Sequence, residues 1–230
     1  GDNAFSNCGS LTSINIPESV TNIGSYAFSY CIWLTTINIP ESVTKIGSYS
    51  FSYCSKLSNI KLPSGLQEIG AGAFAQSGLQ RVDIPDLVTI IDTNAFSHCS
   101  RLKEVNIPKS VKKLGTGVFR SCDSLKKINI SKDNSYFTFE DGCLYNKSKS
   151  KIFQYFKANA DREYIIPEGV NSIDDYAFYE CINITWYSLP SSLQEIRRES
   201  FAYNSNLKNI SIPDNVTQIS SYDKQRDKNR

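Results

Sequence analysis

The sequence repeats itself every 23 residues, and a unit of that length cannot enclose a core of its own. Ile23-Gly-Ser-Tyr-Ala-Phe-Ser-Tyr-Cys31 returns almost unchanged as Ile46-Gly-Ser-Tyr-Ser-Phe-Ser-Tyr-Cys54. One phenylalanine recurs at Phe5, Phe28, Phe51, Phe74, Phe96, Phe119, Phe178 and Phe201, at intervals of 23, 23, 23, 22, 23, 59 and 23. The interval of 22 reflects a one-residue deletion near Gly78, and the 59 exposes an irregular stretch between Ile130 and Pro167. Such units bury their apolar groups only by stacking on one another, which makes the molecule a solenoid and not a pair of globules.

Each position of the unit has a physical reading. In the first copy the apolar and special residues are Leu11, Ile14, Ile16, Pro17, Val20, Ile23, Gly24, Ala27, Phe28 and Cys31. Ile14 and Ile16 alternate with polar residues, which predicts a short strand with both isoleucines facing inward. Pro17 ends the strand, because it has no N–H for a ladder. Val20 and Ile23 point back to the core across a turn, and Gly24 is expected to ease a bend. Ala27 and Phe28 are expected on a short helical turn that closes the far side. The strand anchor runs through Ile16, Ile39, Leu62, Ile84, Ile107, Ile130, Ile166, Leu189 and Ile212. The predicted class is an α/β repeat solenoid of about nine rungs of 22–23 residues. Short parallel strands line its concave face, with short helical turns opposite.

Composition narrows the function. The chain has 230 residues and a net charge of +2, too small to point to nucleic acid as the main partner. No apolar run approaches the ~18 residues of a membrane span, so no direct membrane insertion is expected. Without a Met, and opening inside a unit, the chain is expected to be a segment of a longer protein.

Leu-x-x-Ile-x-Ile-Pro followed by Ile-Gly-x-x-Ala-Phe-x-x-Cys resembles the BspA-like (treponemal-type) leucine-rich repeat family. The resemblance covers about residues 1–219 and implies a leucine-rich-repeat solenoid there, followed by a polar tail over 220–230. Phe139–Asn146, Ile165–Val170 and Ile173–Phe178 resemble a decorated repeat of that family, within an irregular unit at about 131–166. The resemblance also implies an extracellular or cell-surface protein that acts in adhesion and binds host or partner macromolecules, without catalysis. In the last rungs the Ile-Gly pair becomes Ile173-Asp174, Ile196-Arg197 and Ile219-Ser220.

The irregular unit contains a hairpin signal of its own. Tyr136–Tyr145 alternates on both sides of Asp141-Gly142, and Lys151–Phe156 reads as a further extended segment. Residues 134–157 are expected to form a β excursion leaving the solenoid. Either it protrudes as a recognition element, or it interrupts the coil and packs on its flank.

Six cysteines occupy one repeat position, three residues after the phenylalanine: Cys8, Cys31, Cys54, Cys99, Cys122 and Cys181. Ser77 and Asn204 stand there in two other rungs. A spacing of 23 is not a metal-ligand pattern, and one His cannot complete a set. Neither a metal nor a cofactor is expected. Parallel side chains one rung apart suit a disulfide poorly, so a ladder of buried thiols is expected, with scattered disulfides as the alternative. No catalytic constellation or phosphate-binding loop stands out.

The outward strand positions form the candidate ligand-binding face. Asn38, Lys61, Arg81, Asp83, Glu104, Lys127 and Trp186 lie on it, and Lys103 and Lys126 add to a mildly basic middle. Alternating polar residues are also what a solvated sheet face requires. Trp186 is the residue that solvation does not explain, and exposed aromatics are enriched where partners bind. Trp33, in the turn before its strand, is a second candidate for exposure. Tyr26 with Tyr49, and Tyr30 with Tyr53, are expected to stack across rungs. The expected partner is a protein or glycan surface ligand. The alternative is a spacer segment of a larger surface protein with no ligand of its own.

Overall fold

The computed structural model describes residues 1–156 and 162–219. The tail over 220–230, and the last residue of the expected excursion, lie outside the described residues. The chain winds as a β-solenoid of about nine turns with three hydrogen-bonded walls. The first wall holds the predicted strands, paired in parallel 23 residues apart. Ser13–Asn15 pairs with Thr36–Asn38; Arg81–Asp83, Glu104–Ile107 and Lys127–Ile130 form a second set; Glu163–Ile165, Trp186–Ser188 and Asn209–Ile210 form a third. Residues 59–61 form no strand, at the point where the repeat register drops to 22 and the Gln80 N–H donates to the Ser58 carbonyl at 3.0 Å.

The second wall is a further ladder that the sequence reading missed. The segments Asn22–Ile23, Lys45–Ile46, Glu68–Ile69, Ile90–Ile91 and Lys113–Leu114 pair in parallel around the inward isoleucine and its equivalents. Coils come very close here. A Cβ on Gly47 would lie 2.7 Å from the Ser25 nitrogen, and one on Gly115 would lie 2.2 Å from the Thr93 nitrogen. Neither glycine has a positive φ, so its role is close coil–coil approach rather than the expected bend.

The third wall corrects the expected helical turns, since no helix forms among the described residues. Residues two before and two after the repeat phenylalanine adopt left-handed φ: 56° at Tyr26 and 59° at Tyr30, 56° at Asn94 and 57° at His98. A left-handed residue interrupts a right-handed helix. The freed N–H groups point along the solenoid instead. Those of Tyr26, Phe28 and Tyr30 donate to the carbonyls of Ser48, Ser50 and Ser52 at 2.8, 2.8 and 2.9 Å. Intervening N–H groups close tight turns, as Ser29 does onto the Tyr26 carbonyl at 3.1 Å.

Side chains inside these walls stack rung on rung. The rings of Phe5, Phe28, Phe51, Phe74 and Phe96 follow one another at 5.3, 5.3, 5.4 and 5.3 Å, within 7° of parallel, and Phe119 continues at 5.8 Å. Phe178 and Phe201 stack at 5.2 Å. The cysteine position lies beside this column. The thiols of Cys31, Cys54, Cys99 and Cys122 donate to the carbonyls of Phe5, Phe28, Phe74 and Phe96, at 3.0 to 3.2 Å. Asn204 fills the position differently, accepting from the Cys181 N–H at 2.6 Å and donating to the Tyr187 hydroxyl at 3.1 Å. All seven cysteines are free thiols, and only Cys8 is exposed.

The irregular unit is built into the coil, which corrects the expectation of an excursion leaving it. The hairpin strands Phe137–Glu140 and Cys143–Asn146 pair antiparallel, and Cys143–Asn146 pairs with Lys151–Tyr155. Lys151–Tyr155 then pairs in parallel with Ser172–Ile173, continuing the second wall. The Tyr155 N–H donates to the Ala177 carbonyl at 2.7 Å, and its ring stacks on Phe178 at 5.5 Å, so Tyr155 takes the ladder phenylalanine's place. Asp174 replaces a glycine beside it. Its buried carboxylate is held by Lys151 at 3.1 Å and Arg197 at 3.3 Å.

Alternation along Cys143–Asn146 divides the interior. Leu144 and Phe156 join the cluster of buried residues that runs from Ile16 to Ile128. Cys143, Tyr145, Ile152 and Tyr155 join a separate cluster that runs on to Ile196. The unit is a septum between two cores. Arg120, partly buried, spans it, with its guanidinium 4.2 Å from the ring centres of the buried Tyr176 and Tyr179.

Candidate binding face

The first wall presents the outward residues in columns, because each pairs with its equivalent one coil away. Arg81, Glu104 and Lys127 form one column of the middle sheet, and Asp83, Asn106 and Asn129 the next. Cross-strand neighbours at this spacing interact directly. Arg81 bonds Asp83 at 3.1 Å and Glu104 at 3.4 Å. Asn106 donates to Asp83, and Asn129 donates to the Asn106 side-chain oxygen at 2.7 Å. The Asp83 carboxyl titrates below its usual range, first through Arg81 and then through Asn106.

Four of the seven candidate residues, Arg81, Asp83, Glu104 and Lys127, therefore share one sheet. Asn38 is exposed in the first strand pair, opposite Asn15. Lys61 stands on the segment that forms no strand and pairs with Glu41 at 3.0 Å. The Ser64 N–H and then Lys61 pull the Glu41 carboxyl down to about 2. The expected basic middle is thus partly neutralised. Lys103, Lys126 and Lys127 remain without an ion pair among the described residues.

Trp186 lies in the third set of strands, in register with Glu163 and Asn209, and is 39% exposed. Ile165, one strand away on the same face, is 69% exposed. Sequence reasoning passed over Ile165, although counting back one residue from the anchor Ile166 places it outward, as the same count places Asn38 before Ile39. Together these two side chains give the face an apolar end. At the other end of the chain Trp33 is 53% exposed, with the Lys56 ammonium 5.2 Å above its ring, and the stacks Tyr26–Tyr49 and Tyr30–Tyr53 close to 5.1 and 4.2 Å.

Among the described residues no three His, Cys, Asp or Glu side chains gather as metal ligands. No described helix is long and apolar enough to cross a membrane.

The repeat geometry has close counterparts. A leucine-rich cell surface protein of Faecalibacterium prausnitzii superposes with a TM-score of 0.76 at 31% identity, covering 96% of this chain and 65% of that one. The pneumococcal vaccine antigen PcpA superposes with a TM-score of 0.72 at 27% identity, covering 89% of this chain and 61% of that one. A leucine-rich repeat protein of Eubacterium ventriosum gives 0.65 at 27% identity, covering 94% of this chain and 52% of that one. The chain thus spans between 52% and 65% of the length of these three proteins. Among curated proteins none matches it. The family model of the BspA type leucine rich repeat region matches six copies, over residues 1–103, 73–161 and 149–223. With nearly every residue inside those matches, the chain belongs to the BspA-type leucine-rich repeat family.

Proposed function

We propose that this chain is a non-catalytic binding or adhesion module of a secreted or cell-surface protein, taking a protein or glycan ligand on its strand face. The observation that carries the reading is the apolar end of that face, where Ile165 and Trp186 stand exposed on strands whose other outward residues are polar. An exposed aromatic beside an aliphatic side chain supplies the desolvated centre on which binding energy concentrates. The likeness to a bacterial cell surface protein and to a vaccine antigen supports the location. A spacer role is favoured by one observation, the middle of the face, where Arg81, Asp83, Glu104, Asn106 and Asn129 satisfy one another.

The test is a binding screen of the chain against extracellular proteins and glycans, repeated with Trp186→Ala and Ile165→Ser. A hot-spot residue costs about 2 kcal/mol or more on truncation, roughly thirtyfold in affinity. A ligand whose affinity falls by that factor in either variant supports the binding role. Hits indifferent to both variants, or no hits, favour the spacer.

A further inference from the structure

The strand ladder of the first wall stops at Lys127–Ile130. That strand pairs with Glu104–Ile107 on one side only. The ladder resumes at Glu163–Ile165, which pairs onward with Trp186–Ser188. The alternation of the ladder fixes which backbone groups face the interruption. The N–H of Ile84 bonds forward to the Asn106 carbonyl at 3.3 Å, and the Ile107 carbonyl accepts from the next coil's Ser131 at 2.9 Å. By the same alternation the N–H and C=O groups of Ile128 and Ile130 point forward, and among the described residues none of these four groups has a backbone partner. The hairpin strand Phe137–Glu140 approaches but pairs only with Cys143–Asn146. Between the two lies a cleft of about 350 Å³. Ile130 reflects the opening. It is only partly buried, whereas the equivalent Ile107 is 1% exposed.

The cleft also has a sign. Lys127, Lys132 and Lys147 line it, no Asp or Glu does, and all three lysines are exposed. None of the three makes an ion pair among the described residues. Asp133, the nearest acid in sequence, is not among the lining residues, Glu140 is paired to Lys149, and Glu104, opposite Lys127 on the neighbouring strand, is held by Arg81 and Asn129. Phe139 supplies an apolar wall beside Ile128 and Ile130.

We propose that this cleft binds a short acidic peptide segment in extended conformation. The segment adds as a strand to the free edge at Ile128 and Ile130, and sets its carboxylates against Lys127, Lys132 and Lys147. The inference rests on the binding-module reading and names a partner chemistry and a place for it. Strand addition matches alternate N–H and C=O groups at the spacing this edge offers. An anionic sugar would meet the lysines, but its hydroxyls do not repeat as alternating donors and acceptors at a strand's spacing. The positive lining favours carboxylates over basic or neutral peptides and makes the association salt-sensitive.

The probe is a fluorescein-labelled eight-residue peptide of alternating Glu and Val, followed by anisotropy with the full chain at low salt. Saturable binding is expected. N-methylation of the peptide's alternate amides, which removes its strand donors and leaves its charge, should weaken binding at least about tenfold. Lys127→Glu/Lys147→Glu should do the same while the far-ultraviolet circular dichroism stays that of the parent. Equal binding of the N-methylated peptide overturns strand addition. Displacement by a sulfated hexasaccharide at concentrations below those of unlabelled peptide reassigns the cleft to anionic glycans. No saturation up to about 1 mM peptide removes the proposal. A screen ligand that still depends on Trp186 would then leave the binding-module reading standing.

Discussion

Cys54 and Cys143 are buried thiols that face carbonyl or hydroxyl partners one coil away, and burial pushes each up to about 12 from an ordinary 9.0. A thiol raised in the folded state binds its proton more tightly there than in the unfolded chain. Its contribution to stability is therefore complete below about 9 and is lost as pH rises from 9 through 12. Urea midpoints should hold between pH 7 and 8.5 and fall steeply above 9. Cys54→Ala should flatten part of that fall, and a midpoint independent of pH up to 11 would contradict the assignment. Native protein at pH 8 should react rapidly at Cys8 alone, with the other six thiols appearing on unfolding.

At the scale of an element, the phenylalanine column makes each coil depend on its neighbours. Phe96 is fully buried between Phe74 and Phe119, at 5.3 and 5.8 Å. Phe96→Ala should cost about 3–5 kcal/mol, because coils bonded through the Phe96 N–H to Val118 cannot collapse into the cavity. The period, the inward column and the strand with its outward residues were all legible in the sequence, since each follows from counting residues along a unit. The turn wall was not. Ser-Tyr-Ala-Phe-Ser-Tyr reads as a helical turn, and only contact with the next coil favours left-handed φ at Tyr26 and Tyr30 over a helix. The neutralised middle of the face was hidden for a similar reason. Arg81, Asp83 and Glu104 read as three exposed charges until register sets them side by side. The hairpin at Asp141-Gly142 was legible, but its place within the solenoid depends on Tyr155 taking the column position, which no motif announced.

Across the whole molecule the septum makes stability local. Repeat coils interact with nearest neighbours, so cooperativity is carried by the packing between them. Here the packed interior is divided at Cys143–Asn146. Denaturant unfolding should therefore resolve into two transitions. Phe96→Ala should move one of them and leave the other in place, as read by the fluorescence of Trp33 on one side and Trp186 on the other. Coincident shifts at both tryptophans would mean that the Arg120 contacts with Tyr176 and Tyr179 weld the halves into one unit.

A divided interior also changes how such a chain can grow. Coils on one side of the septum answer to a packing problem that the other side does not share. Ile23–Cys31 and Ile46–Cys54 are nearly identical, and the buried residues of both pack only within the cluster that takes in Leu144 and Phe156. Reach along the axis can therefore be lengthened or trimmed on one side by whole units while the other side, with Ile165 and Trp186, keeps its shape.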